Sequence, residues 1–329
     1  MISVAMATYN GQKYIKQQLD SIIAQTLPPS EIIIVDDVSQ DNTVEIVKKI
    51  SEKTTIPIYV YINEENSGVA KSFHRAVQLC QSEFIAFSDQ DDIWYLNKLE
   101  ILFNKLNNLP HKQLIFSDVE VVDKNNVSLN YTQWDAHSFT KKEQARYNSG
   151  HELEVVLKRG VANGMAMLFR KSLLEGEEIY NDFWTYFLHD GYLERKSALM
   201  QSSIVLDRPL VRYRLHDNNV IGAGRLFSTV ENYEKMTKTH VAYKNKVIEC
   251  EQLLRIIKKN EEKYNIVKNK KLILRRIHFF DFRQSLPGNF LIRFFKVITY
   301  FAFGNYHRFS CAPVKSLIKD LFFNHRFKA

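Results

Sequence analysis

Three carboxylates, Asp89, Asp91 and Asp92, lie within four positions of one another, just after the apolar run at residues 83–87. Carboxylates packed at a strand end repel one another, and a hard divalent cation such as Mg²⁺ or Mn²⁺ relieves that repulsion because it prefers oxygen ligands. Such a cation usually shares its coordination with substrate phosphates and can neutralise a departing diphosphate. The alternative is helix capping, since Asp92 precedes a candidate helix at residues 93–106. Capping accounts for one aspartate of the three, so the sequence predicts a site for a divalent cation and a phosphate-bearing substrate here.

Two other polar segments also follow apolar runs, Thr8-Tyr9-Asn10 and Asp36-Asp37. A carboxylate at Asp37 could accept hydrogen bonds from a nucleobase or a ribose. It could equally bond the backbone of a turn. Tyr9 could stack on a base or pack at the end of its strand.

A candidate catalytic base is Asp190, which follows His189 and a dense aromatic segment at residues 183–187. An aspartate beside an apolar wall can have a raised pKa and act as a general base. The alternative is a capping or surface aspartate, and the sequence alone favours that alternative.

Three basic or imidazole side chains alternate in the segment LVRYRLHDNNVIG, namely Arg212, Arg214 and His216. Alternation places them on one face of a strand. Two guanidinium groups and an imidazole would suit a diphosphate, or the imidazole could bind a metal. A solvated strand face is the competing interpretation.

The elements that must position these residues alternate between strand and helix in the first half of the chain. Strands are predicted at residues 2–8, 31–35, 57–62 and 83–87, and helices at residues 14–24, 44–50 and 70–80. This alternation predicts a parallel sheet flanked by helices. Ligands of such sheets bind beyond the carboxyl ends of the strands, where Thr8–Asn10, Asp36-Asp37 and the acidic run all fall.

The second half predicts further strands at residues 113–122 and 164–169, and a pair of strands at 203–206 and 210–214 around Asp207-Arg208-Pro209. Residues 226–271 have a long, charged helical pattern. Residues 289–303 are apolar except for Arg293, Lys296 and Tyr300, which fall on one face of a helix.

The net charge of +8 is unevenly distributed. Residues 225–329 carry 22 Lys and Arg against 8 Asp and Glu, whereas residues 1–224 carry 23 against 29. The basic segment mixes its charges with Phe, Ile and Leu and forms no known nucleic-acid module, so a membrane surface is the expected partner and nucleic acid is not. The alternative is that its aromatic residues pack on the rest of the chain.

The remaining composition favours a cytoplasmic protein. The three cysteines are far apart and odd in number, which argues against a disulfide framework and a zinc site. No signal peptide is expected at the N-terminus, and no uncharged apolar run of membrane-spanning length occurs.

Together these residues resemble glycosyltransferase family 2, the inverting enzymes of the GT-A fold. The resemblance covers residues 1–224, and its pieces are Ala7-Thr8-Tyr9-Asn10-Gly11, Val35-Asp36-Asp37 with Ser39, Asn66-Ser67-Gly68, the Asp89-to-Asp92 element and Gly164-Met165-Ala166-Met167. It implies an α/β GT-A catalytic domain at 1–224, with a nucleotide-sugar half at about 1–112 and an acceptor half at about 113–224. A helical, basic region at 225–329 would follow.

The resemblance also implies roles for single residues. Asp37 would read the nucleobase, Asp89 would contact the ribose or the diphosphate, and Asp91 would hold the Mg²⁺ or Mn²⁺ ion. His216 would lie by the metal or the diphosphate, and Asp190 would deprotonate the acceptor hydroxyl. The full set of predicted donor contacts is Thr8, Tyr9, Asn10, Asp37, Lys71, Asp89, Arg212 and Arg214.

The strings SDQDDIW, HDG and YRLHDNNVIG are similar to bacterial transferases of capsule, O-antigen and exopolysaccharide synthesis, often rhamnosyltransferases. The implied reaction moves one sugar, by this resemblance L-rhamnose from dTDP-rhamnose, to a saccharide or lipid-diphosphate-linked acceptor. The enzyme would act peripherally on the inner face of the plasma membrane. A galactosyl- or glucosyltransferase using a UDP-sugar is one alternative, and a non-catalytic sugar or nucleic-acid binding protein is another.

Overall fold

The computed structural model describes residues 1–175, 182–216, 239–259 and 266–322. Strands and helices alternate in its first part, in the order β1 (Ile2–Thr8), α1 (Ile15–Ile23), β2 (Glu31–Asp36), α2 (Thr43–Ser51), β3 (Ile58–Ile62), α3 (Val69–Leu79) and β4 (Phe84–Ser88). The four strands are parallel and adjacent in the order β3-β2-β1-β4. This confirms the predicted parallel sheet, and it brings the carboxyl ends of β1, β2 and β4 to one edge.

The sheet then becomes mixed. Its later elements are β5 (Ile93–Trp94), α4 (Lys98–Asn107), β6 (Leu114–Val122), β7 (Ser128–Thr132), α5 (Gln133–Ala136), α6 (Lys141–Arg146), α7 (Glu152–Val156), β8 (Met167–Arg170), α8 (Asp182–Leu199) and β9 (Ser203–Arg214). Strand β8 runs antiparallel to both β4 and β6, β9 runs parallel to β6, and β5 pairs antiparallel with β9. The described strands follow the order β3-β2-β1-β4-β8-β6-β9-β5, with β7 attached to β6.

Three sequence predictions in this part are wrong. The expected strand pair at 203–206 and 210–214 is the single strand β9, because Asp207 and Arg208 bulge out between Leu206 and Pro209 without reversing the chain. The expected helix at 93–106 starts only at Lys98, since residues 93–94 pair with β9 instead. The expected strand at 164–169 begins as a 3-10 turn at Gly164–Ala166 and becomes extended at β8.

Both faces of the sheet are covered by helices. On β1, Val4 and Met6 pack into one apolar cluster with α1 and α4, whereas Ala5 packs into another with Phe73 of α3 and Leu193 of α8. Successive side chains of a strand point to opposite faces, so a strand buried on both faces has a continuous apolar sequence. This explains why β2 reads EIIIVD and is buried throughout.

The C-terminal helices are α9 (Thr239–Lys259), α10 (Ile266–Gln284), α11 (Phe290–Ala302), α12 (Asn305–Phe309) and α13 (Pro313–Phe322). Leu253 of α9 and Ile273 of α10 join the cluster beneath α3 and α8, so the first two helices pack on the sheet domain. The last three helices enclose a separate cluster with parts of α9 and α10. The proposed boundary at residue 224 lies outside the described residues, as do residues 226–238 and 260–265 of the predicted helix at 226–271.

The sequence argued against disulfide bonds and against a membrane-spanning helix, and the described residues bear on both points. All three cysteines are described and unpaired, and only Cys311 is exposed. Within the described ranges, no helix combines the length and the apolar character needed to cross a bilayer.

Candidate active site

The ends of β1 and β4 are joined by a side-chain amide. The Tyr9 backbone N–H donates to Gln90 Oε1 at 2.9 Å, and Gln90 Nε2 donates to the Tyr9 carbonyl at 3.0 Å. A Cβ at Gly11 would lie 2.3 Å from the same Gln90 oxygen, so a larger residue there would displace the Gln90 side chain from Tyr9. Residue 90, which sequence analysis passed over, therefore holds the acidic run against the first loop.

Thr8 and Asn10, two of the residues predicted to bind the nucleotide-sugar, form hydrogen bonds with the end of β2 and the loop after it. Thr8 Oγ1 donates to Asp36 Oδ2 at 2.8 Å, and Asn10, with φ of +50°, receives a hydrogen bond from the Gln40 N–H on its side-chain oxygen. The Tyr9 ring remains 47% exposed, as stacking on a base would require. Their contacts with a donor stay predictions.

Asp37 organises the loop before α3. Its Oδ1 accepts from Asn63 Nδ2 at 2.7 Å and from the Ser67 N–H at 2.8 Å, and its Oδ2 accepts from the Gly68 N–H at 2.8 Å. The turn-bonding interpretation of Asp37 is thus observed. Lys71 lies in the first turn of α3, which this loop starts. Base reading by Asp37 and donor contact by Lys71 remain predictions.

Asp92 does not cap a helix, so that interpretation was wrong. Its Oδ1 accepts from the backbone N–H of Arg214 at 3.1 Å, because residues 93–94 continue as a strand beside β9. Its Oδ2 is buried and has no hydrogen-bond partner. The acidic run is therefore built between β4 and a strand that comes more than a hundred residues later.

Burial and mutual repulsion define the electrostatics of the acidic run. Burial, followed by the negative charges of Asp91 and Asp190, raises the pKa of Asp89 to about 8. Burial, together with the charges of Asp91 and Asp89, also raises the pKa of Asp92 well above its ordinary value. Because the charge of Asp190 contributes to the raised pKa of Asp89, the predicted catalytic base lies near the acidic run.

A buried lysine that sequence analysis missed stands beneath this run. Lys98 Nζ donates to the Met165 carbonyl at 2.6 Å and lies 3.1 Å from the centre of the Trp94 ring. Burial lowers the pKa of Lys98 well below its usual range, while the charges of Asp92 and Asp89 act in the opposite direction. The available signal was its position next to Leu99, on the apolar face of a helix.

Arg214 is buried and its guanidinium is bonded within the protein. It donates to the Asp91 carbonyl at 2.9 Å, to the Lys124 carbonyl at 3.1 Å and to Gln17 Oε1 at 2.8 Å. These contacts give Arg214 a positioning role at the acidic run, and a direct contact with the donor stays a prediction. Arg212, half-exposed, pairs with Glu120 at 3.3 Å.

The two predicted metal ligands meet directly, with His216 Nε2 2.8 Å from Asp91 Oδ2. Within the described ranges, no group of three or more His, Cys, Asp or Glu side chains could hold a metal ion. A cation bound by one carboxylate and completed by substrate phosphates and water needs no such group. The pair therefore fits a Mg²⁺ or Mn²⁺ ion that is delivered with a diphosphate, with Asp91 as the oxygen ligand.

Asp190 lies just after a break in α8. Leu188 has φ of +60° and ψ of 173°, which interrupts the helix, and Asp190 follows in the first turn of its second part. Its Oδ1 accepts from the Gly191 N–H at 2.6 Å and its Oδ2 from the Gly164 N–H at 3.2 Å. This is the end of a helix that favours a carboxylate. The predicted base is thus held by two backbone donors beside Asp89.

The break is held by His189. Its imidazole stacks on the Phe73 ring with centroids 3.9 Å apart and meets the edge of Phe87 at 4.8 Å. The ring is buried, and burial lowers the pKa of His189, so it packs as a neutral side chain. At φ of +60° and ψ of 173°, Leu188 occupies a backbone region populated almost only by glycine, at a cost of about 1–3 kcal/mol, and the packing of the neighbouring His189 helps to offset that cost.

The second part of α8 is tied to the C-terminal helices. Arg195 donates to Glu249 Oε1 from both Nε and one terminal nitrogen, at 3.0 and 2.6 Å. Arg276 of α10 donates to Glu249 Oε2 at 2.9 Å. Arg195 also donates to the Gly191 carbonyl at 3.0 Å, one residue after the predicted base. Helices α9 and α10 therefore support the segment that carries Asp190.

We expect Gly164→Ala to lower turnover by about 10²-fold through displacement of Asp190. A Cβ at residue 164 would lie 2.6 Å from His189 Nε2 and 3.5 Å from Asp190 Cβ, and a shift of the His189 ring would disturb its stacking on Phe73. Steady-state kinetics and thermal melting measure the effect. Gly150→Ala is the control, because Gly150 has φ of +86° with open space around it, so the substitution strains the backbone away from the site. Equal losses of turnover in both variants would contradict the prediction.

Comparison with known proteins gives a family match and several relatives. Residues 3–176 match the family described as glycosyl transferase family 2. The chain is similar to the dTDP-rhamnosyl transferase RfbG of Shigella flexneri, with 31% identity over 236 residues, 68% of this chain and 75% of that protein. It is also similar to the UDP-Glc:alpha-D-GlcNAc-diphosphoundecaprenol beta-1,3-glucosyltransferase WfgD of Escherichia coli, with 28% identity over 220 residues, 62% of this chain and 79% of WfgD.

Solved structures share the fold. The crystal structure of S. aureus TarS 1–349 in complex with UDP superposes with a TM-score of 0.52 at 19% identity, covering 88% of this chain and 74% of the TarS 1–349 chain. The curled mixed sheet with helices on both faces and further helices at the C-terminal end is thus an architecture that the two chains have in common.

Proposed function

The chain belongs to glycosyltransferase family 2 and has a GT-A-like α/β fold, and from this premise we propose that it transfers a single sugar from a nucleotide-sugar with inversion of configuration. One observation carries the proposal. Asp190 lies close enough to Asp89 to raise the pKa of Asp89, while Asp91 pairs with His216 beside them. This arrangement supports a base for the acceptor and a polar edge for the diphosphate in one place.

The proposed reaction is a direct displacement. The Asp190 carboxylate takes the proton of the acceptor hydroxyl, and the hydroxyl oxygen forms a bond to the anomeric carbon. The bond between that carbon and the diphosphate breaks on the opposite side, and its electron pair leaves with the diphosphate. Arg214 and Gln90 keep the acidic run in place during this step. A Mg²⁺ or Mn²⁺ ion held by Asp91 and His216 would neutralise charge on the diphosphate.

For the donor we propose dTDP-L-rhamnose, with support from the similarity to a dTDP-rhamnosyl transferase. UDP-glucose or UDP-galactose is the second candidate, favoured by the similarity to a UDP-Glc-using enzyme. The name of that relative also includes a diphosphoundecaprenol acceptor, which supports a lipid-linked saccharide acceptor in bacterial cell-surface polysaccharide synthesis. Such an acceptor would place the enzyme peripherally at the cytoplasmic face of the plasma membrane.

A donor screen tests the proposal and separates the candidates. Purified protein with Mn²⁺ or Mg²⁺ is mixed with dTDP-rhamnose, UDP-glucose or UDP-galactose, and thermal shift and nucleotide release are recorded. We expect the largest shift with dTDP-rhamnose. A larger shift with a UDP-sugar would transfer the donor assignment to that sugar. Binding without nucleotide release on any acceptor would favour the non-catalytic sugar-binding protein.

We expect nucleotide release to stop on addition of EDTA, and Asp91→Asn to weaken the response to the cation by about 10-fold or more, because one of its two side-chain ligands loses its charge. Titration of Mn²⁺ against nucleotide release measures the effect. Asp20→Asn is the control, since Asp20 forms an exposed pair with Lys16 on α1. Unchanged release in EDTA would refute the metal assignment without affecting the assignment of Asp190.

A further inference from the structure

Helix α11 shows its apolar side to solvent and its arginine to the protein. Arg293 is 7% exposed and Val297 is fully buried, whereas the neighbouring large side chains point outward. Helix α13 contributes similar side chains beside it. Together they form what we call the apolar face: Phe290, Leu291, Ile292, Phe294, Phe295, Ile298, Phe303, Val314, Ile318 and Phe322.

The apolar face is concentrated and continuous. Of the 19 exposed large hydrophobic side chains in the described part of the chain, 10 belong to it. The Phe290 ring lies 6.1 Å from that of Phe294 and 6.2 Å from that of Phe322, so α11 and α13 present one surface. Scattered exposed apolar residues are ordinary, but a concentrated patch marks a surface that meets a partner.

The orientation of α11 is fixed from within. Arg293 Nε donates to the Leu321 carbonyl at 3.0 Å, and one terminal nitrogen donates to the Pro287 carbonyl at 3.3 Å. Rotating α11 to hide the apolar face would expose those carbonyls and Val297. The helical spacing groups Arg293, Lys296 and Tyr300 on one face, but they differ in exposure, because Arg293 is buried whereas Lys296 is exposed.

Charge distinguishes between the partners that could cover this surface. Residues 266–322 carry 11 Lys and Arg against 2 Asp and Glu. Two copies meeting through this segment would bring like charges together, whereas an anionic lipid surface would attract it. Lys296 and Lys315 are exposed on the same two helices as the apolar side chains. Apolar side chains rimmed by cations suit the boundary between acyl chains and anionic headgroups.

We propose that the apolar face inserts into the surface of an anionic phospholipid bilayer and holds the enzyme there. The 13 residues of α11 are about 20 Å long, too short to cross a hydrocarbon core of about 30 Å. The helix therefore lies in the interface. This inference rests on the face itself and does not require the proposed sugar transfer.

Co-sedimentation of the full chain with phosphatidylcholine vesicles, with and without phosphatidylglycerol, tests the proposal. We expect binding to the phosphatidylglycerol vesicles that weakens with added salt, and a loss of at least about tenfold in the double variant Leu291→Glu and Phe295→Glu. The control is Val127→Glu with Val267→Glu. Its side chains are 59% and 81% exposed, against 65% and 69% in the test pair, but lie outside the apolar face.

Selective loss in the test variant, with unchanged thermal melting, supports the proposal. Equal binding by both variants would overturn it, as would failure of the wild-type chain to bind either vesicle. Sedimentation equilibrium tests whether a second copy of the chain binds the apolar face instead. An oligomer that dissociates in the test variant, in a protein that ignores vesicles, would assign the face to a second copy.

Discussion

Replacing Asp190 with asparagine is expected to lower turnover by about 10²- to 10⁴-fold, the usual contribution of a general base, while nucleotide-sugar binding is retained. The asparagine cannot take the acceptor proton, yet it preserves the volume of the side chain in the first turn after Leu188. Its neutral amide also removes one of the charges that raise the pKa of Asp89. Donor affinity is therefore expected to hold or to change slightly, and turnover to collapse.

Kinetics with a soluble acceptor and calorimetric titration of the donor separate the two effects. Asparagine keeps one oxygen, so its amino group would face either the Gly164 or the Gly191 N–H, and thermal melting must show that the break in α8 survives. Asp207→Asn is the matched control, because Asp207 forms an exposed pair with Lys141, which contributes little. Turnover close to the wild-type value in the Asp190 variant would remove Asp190 from the mechanism.

Glu249→Ala is expected to destabilise the protein by about 3–5 kcal/mol, because it leaves two buried arginines, Arg195 and Arg276, without their shared carboxylate. That cost corresponds to a fall in melting temperature of roughly 5–10 °C. Turnover should also fall, since Arg195 holds the carbonyl of Gly191 beside Asp190. The control is Glu251→Ala, an exposed position on the same helix, which should leave both melting and turnover unchanged.

The effect of Glu249 should also depend on pH. Burial raises the pKa of Glu249, but the charges of Arg276, Arg195 and Lys246 outweigh burial and hold this pKa far below its ordinary value of 4.5. A carboxyl whose pKa is lowered on folding stabilises the protein fully above its unfolded pKa, and that contribution declines below it and is lost as the pH falls through the lowered pKa of the folded state. The melting temperatures of the wild type and Glu249→Ala should therefore differ fully at pH 7, and the difference should begin to narrow below about pH 4.5 and keep narrowing as the pH falls further. A difference that stays constant from pH 7 to about pH 3 would contradict an ionic role for this residue.

The parts of the fold that depend on local pattern could be predicted from the sequence. The strands from β1 to β4 and the helices between them follow from apolar runs and turn residues, and the shared edge of parallel strands follows from topology. The placement of Asp91 beside His216 followed only from the family resemblance. Nothing local in the sequence fixes that contact, since the two residues are 125 positions apart.

The parts that failed depend on contacts between distant segments. Residues 93–94 have helical neighbours, but pairing with β9 makes them a strand. Arg214 looked like a free cation on a strand face, and its carbonyl partners at Asp91 and Lys124 could not be foreseen. The helical spacing grouped Arg293 with Lys296 and Tyr300 on one face, but it could not show that Arg293 bonds the carbonyls of Leu321 and Pro287 inside the protein.

The late arrival of β9 has a consequence for how the protein is made. Asp92 accepts a hydrogen bond from Arg214, which lies 122 positions later in the chain. Gln17 also accepts a hydrogen bond from Arg214, which lies 197 positions after it. At a synthesis rate of about 5–20 residues per second, Asp92 is added to the chain roughly 6–24 s before Arg214. Contacts of such separation close slowly and late. The nascent first half can therefore form its parallel strands while the edge that carries the acidic run stays open until β9 has been synthesised.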